Sequence, residues 1–247
     1  VLSPAACWFA RRLDRPELLW MEQRKLRRVL GSDRSIAAET YRLLPMVFLW
    51  GGELGDAPPP ANSHFHDTVG APIGIHRSGW DPGATYVGIK GGSPSANHGH
   101  MDIGSFVMAA RGVRWAVDLG SQNYHSLESR GIALWRRGQD SQRWRVIRLN
   151  NFSHNTLVVD GELQRVKGFA PVTKFFDEGP MPHTVIDMSE VYSDKLAEAR
   201  RGVDLDGERV IVQDELRAGV KPAQVRWQMM TGAGVAVSDD GRSAVLE

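Results

Sequence analysis

Four side chains that can bind a metal ion or move a proton lie in three separate segments of the sequence. His98 and His100 stand one residue apart in "SANHGHMDIGSF", Asp118 ends "VRWAVD", and His154 begins "HNTLVVDG". Two imidazoles and a carboxylate suit a borderline ion such as zinc, and three protein ligands with an open fourth position are a common arrangement. Each segment is expected at a strand edge, so the spacing permits convergence without proving it.

The spacing of His98, His100 and Asp102 also has a structural meaning. Side chains alternate between the two faces of a strand, so in a strand all three would point to the same side. We expect Asp102 to turn or orient the strand, and Asn155 to hydrogen-bond nearby backbone. The other histidines of interest are expected at the surface or as caps: His64, His66, His76 and His183.

The elements that must position these residues change in character along the chain. About the first fifty residues look helical, with Ser3-Pro4 as a cap and first turn, and with a later helical segment ending at Gly51-Gly52. The single cysteine, Cys7, falls in an apolar helical stretch, where a free thiol usually packs. The Pro-rich stretch "GDAPPPANS" then separates these helices from the remainder of the chain.

Short alternating runs separated by Gly, Asp, Asn and Ser make up the rest of the sequence, which is typical of an antiparallel β-sandwich. Arg111-Gly112 and Asp206-Gly207 each stand between two apolar runs and predict hairpin turns. One connection of about thirty residues is too long for a routine sandwich loop, so we expect it to be functional. Its aromatic residues argue against disorder: Tyr124, Trp135 and Trp144.

Composition excludes several classes of partner. The 247-residue chain is 42% apolar and carries a net charge of +1, with no basic stripe suited to nucleic acid or an anionic membrane. No run of about 18 apolar residues is present. We therefore expect neither nucleic acid nor membrane as a partner. One basic loop run is expected to be a solvated face, with attraction of an anionic polysaccharide as the alternative: Arg136, Arg137, Arg143, Arg145 and Arg148.

Several motifs in order resemble the C-terminal sandwich region of the heparinase II/III-like polysaccharide lyases. They are "NHGHMDIGSFVMAARGVRWAVDLG", "FSHNTLVVDGELQ" and "VYSDKLAEARRGVDLDGERVIVQDE", and together they span about residues 65–220. The resemblance implies a mainly β fold, an antiparallel β-sandwich preceded by a short helical segment from an (α/α) toroid domain. Residues 1–55 would be the last helices of the toroid, and residues 56–247 the sandwich, truncated at its C-terminus.

The same resemblance implies roles for individual residues. His100, Asp118 and His154 match the zinc ligands of the family, and His98 matches a histidine that faces the substrate. Tyr124 matches a tyrosine that relatives bring into the cleft as an acid or base. Loop length differs among relatives, so either Trp135 or Trp144 is the alternative aromatic residue facing the sugar.

The activity implied by the resemblance is β-elimination on an acidic polysaccharide, of the heparin or heparan sulfate type or the alginate type. A base removes the proton next to a uronate carboxylate, and an acid protonates the departing glycosidic oxygen. Zinc would be structural rather than catalytic. The partners are the polysaccharide and the toroid domain of the same protein, and the expected location is periplasmic or secreted. The family's Asn, His and Tyr of the toroid have no counterpart here, so we expect this segment alone to be inactive.

Two other functions remain open at this stage. A cupin-like metal-dependent oxygenase or isomerase also places an H-x-H pair on β-structure, although cupins usually add a glutamate where only Asp102 follows here. Redox-active iron or manganese would favour that hypothesis. A non-catalytic carbohydrate-binding sandwich with incidental histidines is the third hypothesis.

Overall fold

The chain folds as two separate units. The computed structural model describes residues 2–31, 38–51 and 56–247, and the units are Val1–Asn62 and Ser63–Glu247. Within the described residues, no helix has both the length and the apolar composition needed to cross a membrane.

The first unit contains three α-helices. They are α1 (Pro4–Arg12), α2 (Trp20–Leu30) and α3 (Ala38–Gly51), with a short 3₁₀ helix, Pro16–Leu19, leading into α2. Pro4 and Pro16 each open a helix, where a missing N–H costs nothing. The predicted helical character is confirmed here, and Cys7 packs in the small core of this unit. The predicted helical residues 35–37 and Gly52 lie outside the described residues.

A five-stranded antiparallel sheet forms the first layer of the second unit. Its strands follow one another in sequence order: β1 (His64–Asp67), β2 (Ile73–Arg77), β3 (Tyr86–Lys90), β4 (Phe106–Ala110) and β5 (Val113–Ala116). The turn between β4 and β5 is Arg111-Gly112, and both residues have positive φ, which confirms the hairpin predicted there.

A second antiparallel sheet packs against the first. Its four strands, in the spatial order β10-β9-β8-β7, are β7 (Val172–Phe176), β8 (His183–Asp187), β9 (Leu196–Asp206) and β10 (Arg209–Ala218). β9 and β10 form a hairpin at Gly207, which confirms the second predicted turn. Two further strand pairs complete the unit: β6 (Leu157–Val159) with β11 (Val225–Trp227), and β12 (Val235–Val237) with β13 (Ala244–Leu246).

Apolar side chains from both sheets fill the space between them. Val87 and Ile89 of β3 meet Ile186 of β8 and Val203 of β9, all of them buried. The predicted antiparallel β-sandwich is therefore confirmed, because each layer contributes the inward-facing half of its alternating pattern.

The long connection after β5 is an ordered lobe with a core of its own. It contains α4 (Tyr124–Glu128) and three short 3₁₀ helices between residues 142 and 153. Leu127, Leu134, Trp144 and Leu149 pack together beneath it, with Met101 from the histidine-bearing loop. This lobe and that loop are thus held against each other by a shared apolar cluster.

Candidate functional site

The segment carrying His98 and His100 is a loop, because β4 begins only at Phe106. His98 has φ +55°, in the left-handed region, so the backbone turns sharply between the two histidines. The expectation that His98, His100 and Asp102 share one strand face is therefore wrong. Asp102 forms an ion pair with Lys90 at the end of β3, which matches its expected role in orienting this segment.

His100, Asp118 and His154 lie together in what we call the buried group, in which His154 is fully buried and His100 and Asp118 are half-buried. Nδ1 of His154 donates a 2.8 Å hydrogen bond to Oδ2 of Asp118, and the ring centroids of His154 and His100 lie 5.4 Å apart. His154 has no exposed surface, and Asp118 also accepts a 2.7 Å hydrogen bond from the backbone N–H of Gly120. Residues separated by up to 54 positions in the sequence thus lie together at one place.

The protonation states of this group suit metal ligation. The hydrogen bond from His154 holds the pKa of Asp118 down to about 2, with a further contribution from the Gly120 N–H, so its carboxyl is ionised. Burial lowers the pKa of His100, which favours the neutral imidazole. A carboxylate and neutral imidazoles are the forms that bind a cation.

Within the described ranges, no group of three or more His, Cys, Asp or Glu side chains is placed so that it could hold a metal ion. The 2.8 Å between His154 Nδ1 and Asp118 Oδ2 is a hydrogen-bond length, shorter than the roughly 3.3 Å between two ligand atoms of a tetrahedral zinc ion. The buried Nε2 of His154, however, has no hydrogen-bond partner among the residues that the structure describes. A buried ring nitrogen without a partner, beside a second imidazole and a carboxylate, is a donor set that fits zinc.

An exposed group consists of His98, Tyr124 and Trp135. Nδ1 of His98 lies 3.2 Å from the Tyr124 hydroxyl oxygen, and the two rings are nearly parallel at 5.8 Å. Trp135 makes edge contacts with both rings, at 5.8 Å and 5.4 Å between centroids, and is 57% exposed. This places a proton-transfer pair beside an aromatic surface that solvent can reach.

Trp144 belongs to the core of the lobe and cannot face a sugar. It is 2% exposed, and its Nε1 donates a 2.8 Å hydrogen bond to the carbonyl oxygen of Gly138. Between the two tryptophans predicted as alternatives, only Trp135 is placed beside His98.

A comparison with protein families decides the relationship of the chain. The family described as "Heparinase II/III-like, C-terminal" matches residues 66–247. The chain belongs to the heparinase II/III-like family. The resemblance read from the sequence motifs is thereby confirmed. No curated protein sequence matches the chain.

Solved structures share the fold of this heparinase II/III-like chain. It is similar to a heparinase III, the BT4657 gene product, at 20% identity and a TM-score of 0.60, over 82% of this chain. It is also similar to the heparan sulfate lyase HepC from Pedobacter heparinus, at 18% identity and a TM-score of 0.57, over 81% of this chain. In both cases the chain spans only 30% of the length of the structure it matches.

A buried arginine that the sequence analysis assigned to a solvated face positions the histidine loop of the heparinase II/III-like site. Arg143 is 3% exposed and donates hydrogen bonds to the carbonyl oxygens of Leu134, at 3.2 Å, and Gly99, at 2.6 Å. The prediction of a solvated position was wrong for Arg143, whose guanidinium is buried against backbone carbonyl oxygens, whereas Arg136, Arg137 and Arg145 are exposed. In the sequence, the position of Arg143 directly before Trp144 was the signal that could have indicated burial.

Asn155 connects distant parts of the site, which corrects the expectation of a local hydrogen bond. Its Nδ2 donates to the carbonyl oxygens of Phe106, at 2.7 Å, and Val117, at 3.0 Å, and its Oδ1 accepts from the backbone of Met230. Because Val117 precedes Asp118 and Asn155 follows His154, this single amide fixes the spacing of two candidate ligands.

His64, His66 and His76 lie close together on β1 and β2, with Phe175 beside His66 and His76. His76 of β2 is fully buried, with Nδ1 3.1 Å from Nδ1 of His64 and Nε2 2.8 Å from the Thr184 hydroxyl. The ring of Phe175 stacks on both His76 and His66. The surface or capping prediction was therefore wrong for His76, whose partners come from strands that the sequence does not show to be neighbours.

Proposed function

We propose that this chain is the sandwich part of a polysaccharide lyase that cleaves uronic acid-containing chains by β-elimination. The observation that carries the proposal is the exposed contact between His98 and Tyr124, with Trp135 beside both rings. Membership of the heparinase II/III-like family and the similarity to a heparinase III and a heparan sulfate lyase support this activity class.

The two side chains can carry both proton transfers of the reaction. In the elimination, a base takes the proton from C5 of the uronate, the bond between C4 and the glycosidic oxygen breaks, and an acid protonates that oxygen. The products are a saccharide with a new reducing end and a saccharide whose terminal uronate has a C4=C5 double bond. A histidine and a tyrosine in hydrogen-bond contact can accept one proton and deliver the other.

The buried group has a different role in this proposal. His100, Asp118 and His154 are the residues that would hold zinc, which would join the histidine loop, the segment after β5 and the segment before β6. The ion would shape the site, and the proton transfers fall to His98 and Tyr124. The loop geometry that exposes His98 then depends on a rigid point two residues away.

The substrate and setting are part of the proposal. The substrate is of the heparin or heparan sulfate type or of the alginate type, and an N-terminal toroid domain of the same protein supplies the opposite wall of the cleft. Large acidic polysaccharides are met outside the cytoplasm, so we place the protein in the periplasm or outside the cell.

The test uses the natural protein that contains this chain, incubated with heparan sulfate and with alginate while the ultraviolet absorbance of the new double bond is followed. We expect product from one of them, and a loss of kcat of at least about 100-fold in His98→Ala and Tyr124→Phe. His66→Ala and Tyr86→Phe are the matched controls. Saccharide binding without unsaturated product would instead identify a non-catalytic carbohydrate-binding sandwich.

A further inference from the structure

A cleft of about 870 Å³ lies in the second unit beside the exposed histidine group. We call it the basic cleft, and three cations line it: Arg137, Arg165 and Lys167. The Arg137 guanidinium donates to the carbonyl oxygen of Ser95 at 2.9 Å, and that of Arg165 donates to the Ser193 hydroxyl at 2.7 Å. Among the described residues, no carboxylate forms an ion pair with any of the three cations.

The acidic residues at the same cleft are directed to a different cation. Glu162 and Asp194 line the cleft, but Lys195 lies 3.0 Å from Glu162 and 3.8 Å from Asp160. The hydrogen bond that Lys195 donates to Glu162 raises the pKa of Lys195, and the charges of Asp160 and Asp194 add to the effect. The charge of Glu162 is thus engaged by Lys195, whereas Arg137, Arg165 and Lys167 form no ion pair with a carboxylate of the described residues and can bind an anionic ligand.

The side-chain amide of Gln139 joins two segments that line the basic cleft. Gln139 donates from Nε2 to the carbonyl oxygen of Gln164 at 2.9 Å and accepts at Oε1 from the N–H of Val166 at 2.9 Å. The same amide therefore connects the segment of Arg137 to the segment of Arg165 and Lys167. A cleft held open in this way needs little rearrangement to bind a ligand.

The basic cleft continues in both directions along the lobe. Ser95 lies three residues before His98, and Arg137 lies two residues after Trp135, so both loops of the exposed histidine group also line the cleft. On the other side, Arg137 is shared with a second hollow of about 580 Å³ that Arg136 and Arg145 also line. The cations form a band that starts at the candidate catalytic pair.

We infer that the basic cleft binds the anionic groups of the saccharide beyond the unit being cleaved. The ring of Phe152 lines the same cleft and offers an apolar surface for sugar C–H groups. Guanidinium and ammonium groups recognise sulfate or carboxylate oxygens through charge-assisted hydrogen bonds. The identity of the ligand as a saccharide rests on the proposed function, whereas its anionic character follows from the unpaired cations.

The test is isothermal titration calorimetry of this chain with a sulfated uronic oligosaccharide, an unsulfated oligouronate of equal length, and single-stranded DNA of equal charge. The cleft variant is R165Q/K167Q, and the matched control is R114Q/K174Q, which removes the same charge from exposed positions on β5 and β7. We expect the Kd of a saccharide to rise about tenfold in the cleft variant. In the control variant the Kd should stay within about twofold of that of the unaltered chain.

Each outcome decides the inference. Loss of affinity for the sulfated compound alone supports sulfate as the recognised group, and equal loss for both supports carboxylate. The inference would be overturned if no saccharide binds, or if saccharides bind the cleft variant as tightly as the unaltered chain. It would also be overturned if DNA binds more tightly than the saccharides and loses as much affinity in the cleft variant. The proposed function is judged separately. If saccharides bind through the cleft but the natural protein has no lyase activity, the proposed function fails and the inference about the cleft stands.

Discussion

Nη2 of Arg143 donates a 2.6 Å hydrogen bond to the carbonyl oxygen of Gly99, the residue that separates His98 from His100. The same guanidinium bonds to Leu134 in the lobe, so one side chain sets the position of the loop carrying both histidines. Because Arg143 is almost completely buried, this contact is shielded from water and competes with few alternatives.

Replacing Arg143 with Met should therefore destabilise the chain by about 1–3 kcal/mol, because two buried carbonyl oxygens lose their donor. Urea denaturation measures the change, and Arg136→Met, at an exposed neighbouring position, should stay within about 0.5 kcal/mol. Hydrogen exchange should also quicken between residues 95 and 105. Equal stability of the two variants would show that Arg143 is not the anchor of this loop.

Metal content gives a direct test of the buried group. After loading with zinc and dialysis, we expect one zinc per chain, and its loss in His100→Ala and in His154→Ala, because each removes an imidazole ligand. His66→Ala is the control histidine and should retain the metal. One zinc per chain in His100→Ala would refute the ligand assignment, and stoichiometric iron or manganese in the purified protein would favour an oxygenase.

His76 predicts how stability depends on pH. Burial, with the neighbouring His64 and His183, lowers the pKa of His76 to about 4 from an unperturbed value near 6.5. Between these values the unfolded chain binds the proton and the folded chain does not, so stability is complete above about pH 6.5 and is lost as pH falls toward 4. The loss attributable to His76 between pH 7 and pH 4.5 is about 2–3 kcal/mol.

His76→Gln, which keeps a side-chain donor but cannot titrate, should remove this part of the pH dependence. Urea denaturation of both proteins at pH 7 and pH 4.5 measures the difference in slope, and His66→Gln serves as the control. The same loss of stability in His76→Gln and in the unaltered chain would contradict the assignment. Asp118 does not interfere, because its contribution is lost only below about pH 4.

A buried ion pair between Arg201 and Asp214 supports the base of the site. Arg201 is fully buried, makes two 2.8 Å hydrogen bonds to the Asp214 carboxylate, and donates to the carbonyl oxygens of Gly104 and Asn155. Asp214→Ala should cost about 3–5 kcal/mol, because it leaves a buried charge without a partner. The double variant R201M/D214A should cost at least about 1 kcal/mol less than the sum of the single changes. Additive costs in urea denaturation would argue against coupling.

The sequence predicted those parts of the structure that depend on local pattern. Alternating apolar residues marked the strands, and Arg111-Gly112 marked a hairpin because that turn needs two residues of positive φ. The meeting of His100, Asp118 and His154 was predicted from family motifs rather than from spacing. Their proximity is a tertiary property that no local pattern encodes.

The errors have a common physical origin. His76 meets Thr184 across 108 residues, and Arg143 meets Gly99 across 44, so neither contact leaves a trace in the neighbouring sequence. The separation of His98 from Asp102 was missed because one left-handed residue ends the alternation that a strand would have imposed. The polar character of His76 and Arg143 indicated exposure. Both are buried instead, because hydroxyl or carbonyl partners satisfy their polar groups.

The left-handed backbone at His98 gives the two imidazoles of the H-x-H pair different surroundings, one beside the rings of Tyr124 and Trp135 and the other beside the ring of His154. Variation at residue 98 is therefore limited by the backbone as well as by chemistry, because Asn, Asp or Gly would tolerate this φ and β-branched residues would not.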